Sequence, residues 1–279
     1  MIFDLILESL RWRLNPISPK EQNYSPLLSN IPFQRYGHTV VANGDLIYLW
    51  GGRNENCADN TLYCFDTVTR GWLSRPKVTG FIPGARDGHT AVVINNKMYI
   101  FGGYEELWER FSNEVFVLDL ITFVWKNQSV MGTPPSWRDF HSAVAFDQKM
   151  YVFGGRSDRS GPNHSDREVY SNTIMYFDSK TNTWVTPEIR GTLPLGRRSH
   201  SSFVYNNEIY IFGGYNGKSR THFNDLYKFN PKTMVWYEVL AKGKHKPCAR
   251  RRQCCCLVGD RLFLFGGTRF EAFPHLFDI

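Results

Sequence analysis

Five arginines stand at one fixed distance from a glycine pair. Arg35, Arg86, Arg138, Arg197 and Arg250 each precede, by the same offset, the first glycine of Gly51-Gly52, Gly102-Gly103, Gly154-Gly155, Gly213-Gly214 and Gly266-Gly267. A guanidinium keeps its proton and offers a planar fork of donors, which a carboxylate meets with two parallel hydrogen bonds. Several such groups around one opening make sense as an anion site. The residue after each glycine pair is the second candidate: Arg53, Tyr104, Arg156, Tyr215 and Thr268. Trp108 and Trp137 could flank a peptide there, beside Tyr104 and Tyr215. The competing reading is structural, with each arginine bridging to a carboxylate nearby, as Asp87 and Asp139 would allow.

Histidines follow the first four arginines at a constant spacing (His38, His89, His141, His200), and Gln253 takes that place in the fifth copy. A residue that recurs once per repeat is spread around an axis rather than gathered into a catalytic or metal cluster. A hydrogen bond at a strand start and a ligand contact are both open for it. No catalytic residue is expected, because the chain has no G-x-S-x-G, H-E-x-x-H, P-loop or G-x-G-x-x-G motif. No metal or cofactor is expected either. No Cys-x-x-Cys pair occurs, and the adjacent Cys254, Cys255 and Cys256 would alternate faces along a strand.

These residues need a scaffold that repeats in step with the glycine pairs. An apolar strand precedes each pair (LIYLW, MYIF, MYVF, IYIF, LFLF). Asn60, Asn113, Asn172 and Asn224 follow, each at one offset before Asp66, Asp119, Asp178 or Asn230. The same offset then leads from each of those to Trp72, Trp125, Trp184 or Trp236. Each copy reads as four short strands. In the second these are HTAVVI, KMYIFGG after an Asn95-Asn96 turn, NEVFVLD and a short strand at Trp125. The strand before the glycines is apolar throughout, as expected of one buried on both faces. One such sheet cannot bury its faces alone, and stacked neighbours can. Asp should then fix the turn, and Trp the contact between neighbours. Aromatics at 15% and 23 glycines agree with short strands and tight turns.

This Arg-x-x-His, apolar-Gly-Gly, Asn, Asp-x5-Trp pattern resembles the kelch repeat. The resemblance implies an all-β fold, a kelch β-propeller of four-stranded antiparallel blades. A single domain, 1–279, is expected, with a partial repeat at 1–34, repeats at about 35–85, 86–137, 138–196 and 197–249, and a partial repeat at 250–279. The family propeller has six blades. Four complete copies therefore imply either a truncated ring or a smaller one closed by residues 2–7 adding an outer strand to the last blade. HLFDI at the C-terminus could stand in for a third strand. Within the family, stretches such as RYGHT, PGARDGHTA, MYVFGGRSDR and GRRSHS are similar to a group of cullin-2 RING ubiquitin ligase substrate receptors.

That likeness implies a non-enzymatic module that binds C-terminal tails of target proteins and meets cullin-2 through an elongin B/C adaptor. No leucine-rich helical docking segment follows the repeats in this sequence, so the adaptor is expected by family analogy alone. The resemblance ranks Arg156 with Arg197 and Arg198 first among the peptide-binding candidates, followed by Arg138, Arg86, Arg35, Arg53, Arg250, Tyr104, Tyr215 and Trp137. The alternative is a chromatin-associated scaffold in meiotic recombination, reached through a protein partner.

The net charge of +7 has a local source. Lys242, Lys244, Lys246, Arg250, Arg251 and Arg252 lie in one short stretch that holds no acid. A solvated turn, part of the peptide pocket and a phosphate contact are open readings of this cluster. The third copy carries a long polar insertion between Gly155 and Asn172, either a partner-contacting loop or an inert excursion. Six cysteines without a framework predict reduced thiols. A poor signal sequence at MIFDLILESLRW and the lack of an apolar run long enough to span a bilayer predict no membrane, and residence in cytoplasm and nucleus.

Overall fold

Alternation of apolar strands with Asn, Asp and Gly turns folds the chain into successive antiparallel sheets, one per repeat. The computed structural model describes residues 3–6, 11–14, 30–241 and 247–269. The chain divides into a unit of residues 1–33 and a unit of residues 34–279. In the first, Phe3–Ile6 pairs antiparallel with Arg11–Leu14. Lys242, Lys244, Lys246 and the HLFDI segment lie outside the described residues. No helix of the described residues is long and apolar enough to cross a membrane.

In the second unit the first blade runs Tyr36–Asn43, Leu46–Arg53, Leu62–Asp66 and Gly71–Trp72 in sheet order. The second comprises Thr90–Ile94, Lys97–Phe101, Val115–Asp119 and Val124–Asn127, and Thr79–Gly80 lies parallel along its outer edge. The third comprises Ser142–Phe146, Lys149–Phe153, Ile174–Asp178 and Thr183–Val185. The fourth repeats the order with Ser201–Tyr205, Glu208–Phe212, Leu226–Asn230 and Val235–Glu238, edged by Arg190–Gly191. Arg251–Val258 and Arg261–Thr268 form the described part of the fifth.

The strand before each glycine pair is the second of its sheet, so neighbours cover both faces. Met98, Tyr99, Ile100 and Phe101 are all buried. Each core cluster spans two blades: Trp50, Leu62 and Cys64 meet Ile100, Leu118 and Trp125, for example. The repeat tryptophan carries much of this contact. Trp125 lies against Trp50, Trp184 against Phe101 and Trp236 against Phe153, with ring centroids 4.9–5.6 Å apart. Burying aromatic rings of this size is the largest stabilising term available to such a fold.

Polar repeat positions close the turns. Asp66 accepts from the Val68 and Thr69 amides, and Asp119, Asp178 and Asn230 each take the same two amides of their own turns. Those bonds favour the carboxylate and hold Asp66 and Asp119 below the usual range. Asn60, Asn113 and Asn224 reach the carbonyls of Pro83, Pro135 and Pro247 at the entrance of the next blade.

Candidate functional site

The constant offset between arginine and glycine has a direct cause. The Nη1 of Arg35, Arg86, Arg138, Arg197 and Arg250 donates to the carbonyl of Gly51, Gly102, Gly154, Gly213 and Gly266, at 2.7–3.2 Å. In Arg86, Arg138, Arg197 and Arg250 the Nε also donates to the carbonyl two positions earlier. Each arginine thus staples the start of its blade's first strand to the end of the second. Arg35 pairs with Asp59, Arg86 with Glu105 and Arg197 with Asp225. Arg138 is 5% exposed and relies on the carbonyls of Gly154 and Ser136 and on the Ser136 hydroxyl. Burial lowers its pKa to about 10, which still leaves it charged at neutral pH.

The histidines are latches between blades. His89, His141 and His200 each hydrogen-bond through Nε2 to Thr39, Thr90 and Ser142 of the preceding blade, at 2.7–2.8 Å. Burial, and then the neighbouring repeat arginine, drives all three well below the ordinary imidazole range, His200 to about 3. Gln253 replaces the latch in the fifth blade, its Nε2 donating to the Phe212 carbonyl at 2.9 Å. Glycine is required beneath each histidine. A Cβ on Gly102, which has φ +70°, would stand 2.8 Å from His141 and from the Arg138 carbonyl.

One residue beyond each arginine the chain turns its side chains the other way, and a second set of charged and aromatic residues begins there. Tyr36 pairs with Arg53, Asp87 with Tyr104, Asp139 with Arg156, Arg198 with Tyr215 and Arg251 with Thr268 as backbone partners. Each rung joins the residue after a repeat arginine to the residue after a glycine pair. At the next residue a chain of hydrogen bonds links the blades. Gly88, Phe140, Ser199 and Arg252 donate their amides to Gly37, Gly88, Phe140 and Ser199 at 2.7–2.9 Å. Successive rungs therefore lie side by side.

Charge is distributed unevenly over the rungs. Arg53 faces Asp87 at 4.0 Å and Glu106 at 3.5 Å. Arg156 forks onto Asp139 and also meets Glu168. Burial would lower the Arg156 pKa, and these carboxylates hold it above its ordinary value instead. Burial and the charge of Asp139 raise Asp87 to about 6. Arg198 forms no ion pair with a carboxylate among the described residues, and its buried Nε has no hydrogen-bond partner there. Its guanidinium carbon lies 5.8 Å from the Tyr215 ring centroid, and that of Arg251 4.6 Å from the same ring. Burial and then the charges of Arg252 and Arg198 lower the Arg251 pKa. Two guanidiniums therefore share one aromatic ring.

The expected ring of free repeat arginines does not exist. Arg86, Arg138 and Arg197 are 0–5% exposed, and the Arg35 side chain is 2% exposed. The Arg250 guanidinium is held by Gly266 and Cys248. All five turn into their own blades, since alternate residues of a strand point to opposite faces. Arg53 and Arg156 do reach the rung face, where carboxylates neutralise them. Tyr104 lies on it against Phe111. Trp137 is half-buried, its indole N–H without an acceptor among the described residues, and Trp108 projects from a turn at 64% exposure. Arg198, Tyr215 and Arg251 bring two cations to one aromatic ring, with the Arg198 Nε still lacking an acceptor among the described residues. Of these three the sequence left Arg251 among its neighbours, although its position, one past a repeat arginine, was the available signal.

Comparison with known proteins agrees with this architecture. Residues 37–267 match the family described as KLHDC2/KLHL20/DRC7 Kelch-repeats domain. The chain is 52% identical over 262 residues to Kelch domain-containing protein 3 of Bos taurus and 51% identical to that of Homo sapiens, a match covering 93% of this chain and 67% of each relative. It is 30% identical over 265 residues to Host cell factor 2 of Homo sapiens, covering 88% of this chain and 33% of that protein. By repeat pattern, blade architecture and these likenesses, the chain belongs to the kelch-repeat family.

Proposed function

We propose that this kelch module captures the C-terminal tail of a target protein, with the terminal carboxylate held between Arg198 and Arg251 above Tyr215. The observation that carries this reading is the imbalance of the rungs. Carboxylates hold Arg53 and Arg156, whereas Arg198 keeps a buried Nε with no acceptor among the described residues and shares one aromatic ring with Arg251. The Arg198 charge contributes to the lowered pKa of Arg251. An arriving carboxylate relieves that repulsion, and charged hydrogen bonds of this kind contribute about 1.5–3 kcal/mol each. Arg156, bound to Asp139 and Glu168, acts here as a positioning residue for the rung beside Arg198.

The module would then serve as the substrate-recognition subunit of a cullin-2 RING ubiquitin ligase, joined through elongin B/C, in cytoplasm and nucleus. Support for this wider role is the likeness to Kelch domain-containing protein 3 together with the anion site. Fluorescence polarisation with a peptide ending in a free carboxylate, against the same peptide amidated, tests the capture mode. The free acid should bind at least tenfold more tightly, and Arg198→Ala should abolish the difference. Equal affinity for the two peptides defeats the reading. The alternative, a chromatin-associated scaffold in meiotic recombination, draws on the basic cluster that includes Arg250, Arg251 and Arg252 and on the family resemblance. It requires salt-dependent binding to DNA or nucleosomes that is lost when Arg250, Arg251 and Arg252 are neutralised.

A further inference from the structure

The insertion of the third repeat is folded around one carboxylate. Arg156–Asp158 pairs antiparallel with Glu168–Tyr170, and the residues between them wrap onto Asp158. Asp158 is 6% exposed and accepts from the Ser160 amide, the Ser165 amide and the Ser165 hydroxyl at 2.7–2.8 Å. The Ser160 amide, with Ser165 assisting, holds the carboxyl below its usual range. Ser165 Oγ in turn accepts from the Arg167 amide at 3.0 Å.

Held this way, the loop lies on the second blade. The Phe111 amide donates to the Pro162 carbonyl at 2.6 Å, and Asn163 Nδ2 reaches the Glu109 carbonyl at 3.4 Å. The His164 ring stands 4.4 Å from Phe111 and 4.8 Å from Tyr104, with its Nε2 3.3 Å from an Arg156 nitrogen. A side chain of the loop therefore occupies the face that Tyr104 and Arg156 would present. Ser165 itself is exposed. It is followed by Asp166, Arg167 and Glu168, so acids stand at the first and third places after it.

We propose that Ser165 is a phosphorylation site for a kinase that selects acidic sequences, and that its modification releases the insertion from Tyr104 and Arg156. In the transfer, Ser165 Oγ forms a bond to the γ-phosphorus of a nucleoside triphosphate. The bond from that phosphorus to the β–γ bridging oxygen breaks, the nucleoside diphosphate leaves, and the hydroxyl proton passes to the kinase's base. The product carries a charge of about −1.5 to −2 and no hydroxyl donor. The hydroxyl's hydrogen bonding to Asp158 is replaced by repulsion between anions, so the loop cannot close again around that carboxylate. Arg159 and Arg167, both exposed on the same loop, are the cations nearest in sequence to receive the phosphate.

The site at Ser165 and the release of its loop stand apart from the carboxylate reading. The test incubates the whole chain with an acidophilic Ser/Thr kinase and ATP, locates phosphate by mass spectrometry, and follows amide exchange over residues 109–112. Phosphate at Ser165, absent from Ser165→Ala, with exchange at least tenfold faster over 109–112, is the expected result. Ser165→Asp should accelerate the same amides without kinase. No phosphate at Ser165, or phosphate with exchange unchanged, overturns the proposal. Equal binding of acid and amidated peptides would instead remove the carboxylate reading and leave the modification site standing.

Discussion

Acidification should destabilise this protein through its three buried latches. His89, His141 and His200 are neutral in the fold because burial and the adjacent arginines oppose their charge. A histidine whose folded pKa is depressed contributes stability above its unfolded value of about 6.5, and that contribution is lost as pH falls. The unfolded chain alone then takes up the proton. By linkage this costs about 0.2 kcal/mol per histidine at pH 7 and about 1.4 kcal/mol at pH 5.5. Three latches together lose roughly 4 kcal/mol over that interval. Asp87 works in the opposite direction, since its carboxyl is raised to about 6. It binds a proton more readily folded than unfolded and offsets about 0.8 kcal/mol. For these four groups the loss of about 3 kcal/mol is a large part of a total stability of about 5–15 kcal/mol. Urea titrations at pH 7.0, 6.2 and 5.5 measure it. His200→Gln copies the natural solution at Gln253 and should remove about 1.2 kcal/mol of the pH-dependent loss. A stability change under about 1 kcal/mol between pH 7 and 5.5, or a His200→Gln slope equal to that of the parent, would refute buried neutral latches.

Further outcomes follow from the same geometry. Gly102→Ala should cost about 3 kcal/mol or more in urea, because its Cβ meets the Arg138 carbonyl and His141 at a positive φ. Gly266→Ala has the same backbone sign but nothing within 4 Å among the described residues, so only the left-handed penalty of about 1–2 kcal/mol should be seen. Equal losses at the two positions would contradict the packing described. Arg197→Ala should destabilise by about 3–5 kcal/mol, since it leaves Asp225 and the Gly213 carbonyl without their donor. Arg198→Ala should leave the stability in urea within about 0.5 kcal/mol of the parent while weakening peptide binding, which separates staple from site. Asp87→Asn should stabilise the chain at pH 7 by roughly 1–3 kcal/mol and flatten the offset seen in acid.

Much of the scaffold was legible in the residues themselves. The glycine pairs, the apolar run before each, the Asp turns and the inter-blade tryptophans recur at constant offsets, and each proved to have one local or nearest-neighbour partner. The fixed spacing between arginine and glycine also carried information, but about a staple within the blade rather than a ring of free cations. Two contacts fell outside any such pattern. Glu168 neutralises Arg156 from across an insertion. The Pro162 to Phe111 bond joins two loops of different repeats.

Sequence alone determined the period, the strands and the residue types at each repeated place, because those depend on local periodicity and on the steric needs of glycine, asparagine and aspartate. Tertiary structure decided which cations remain available. Availability depends on the face a side chain takes and on whether a distant carboxylate lies within about 4 Å, and stacking the blades sets both.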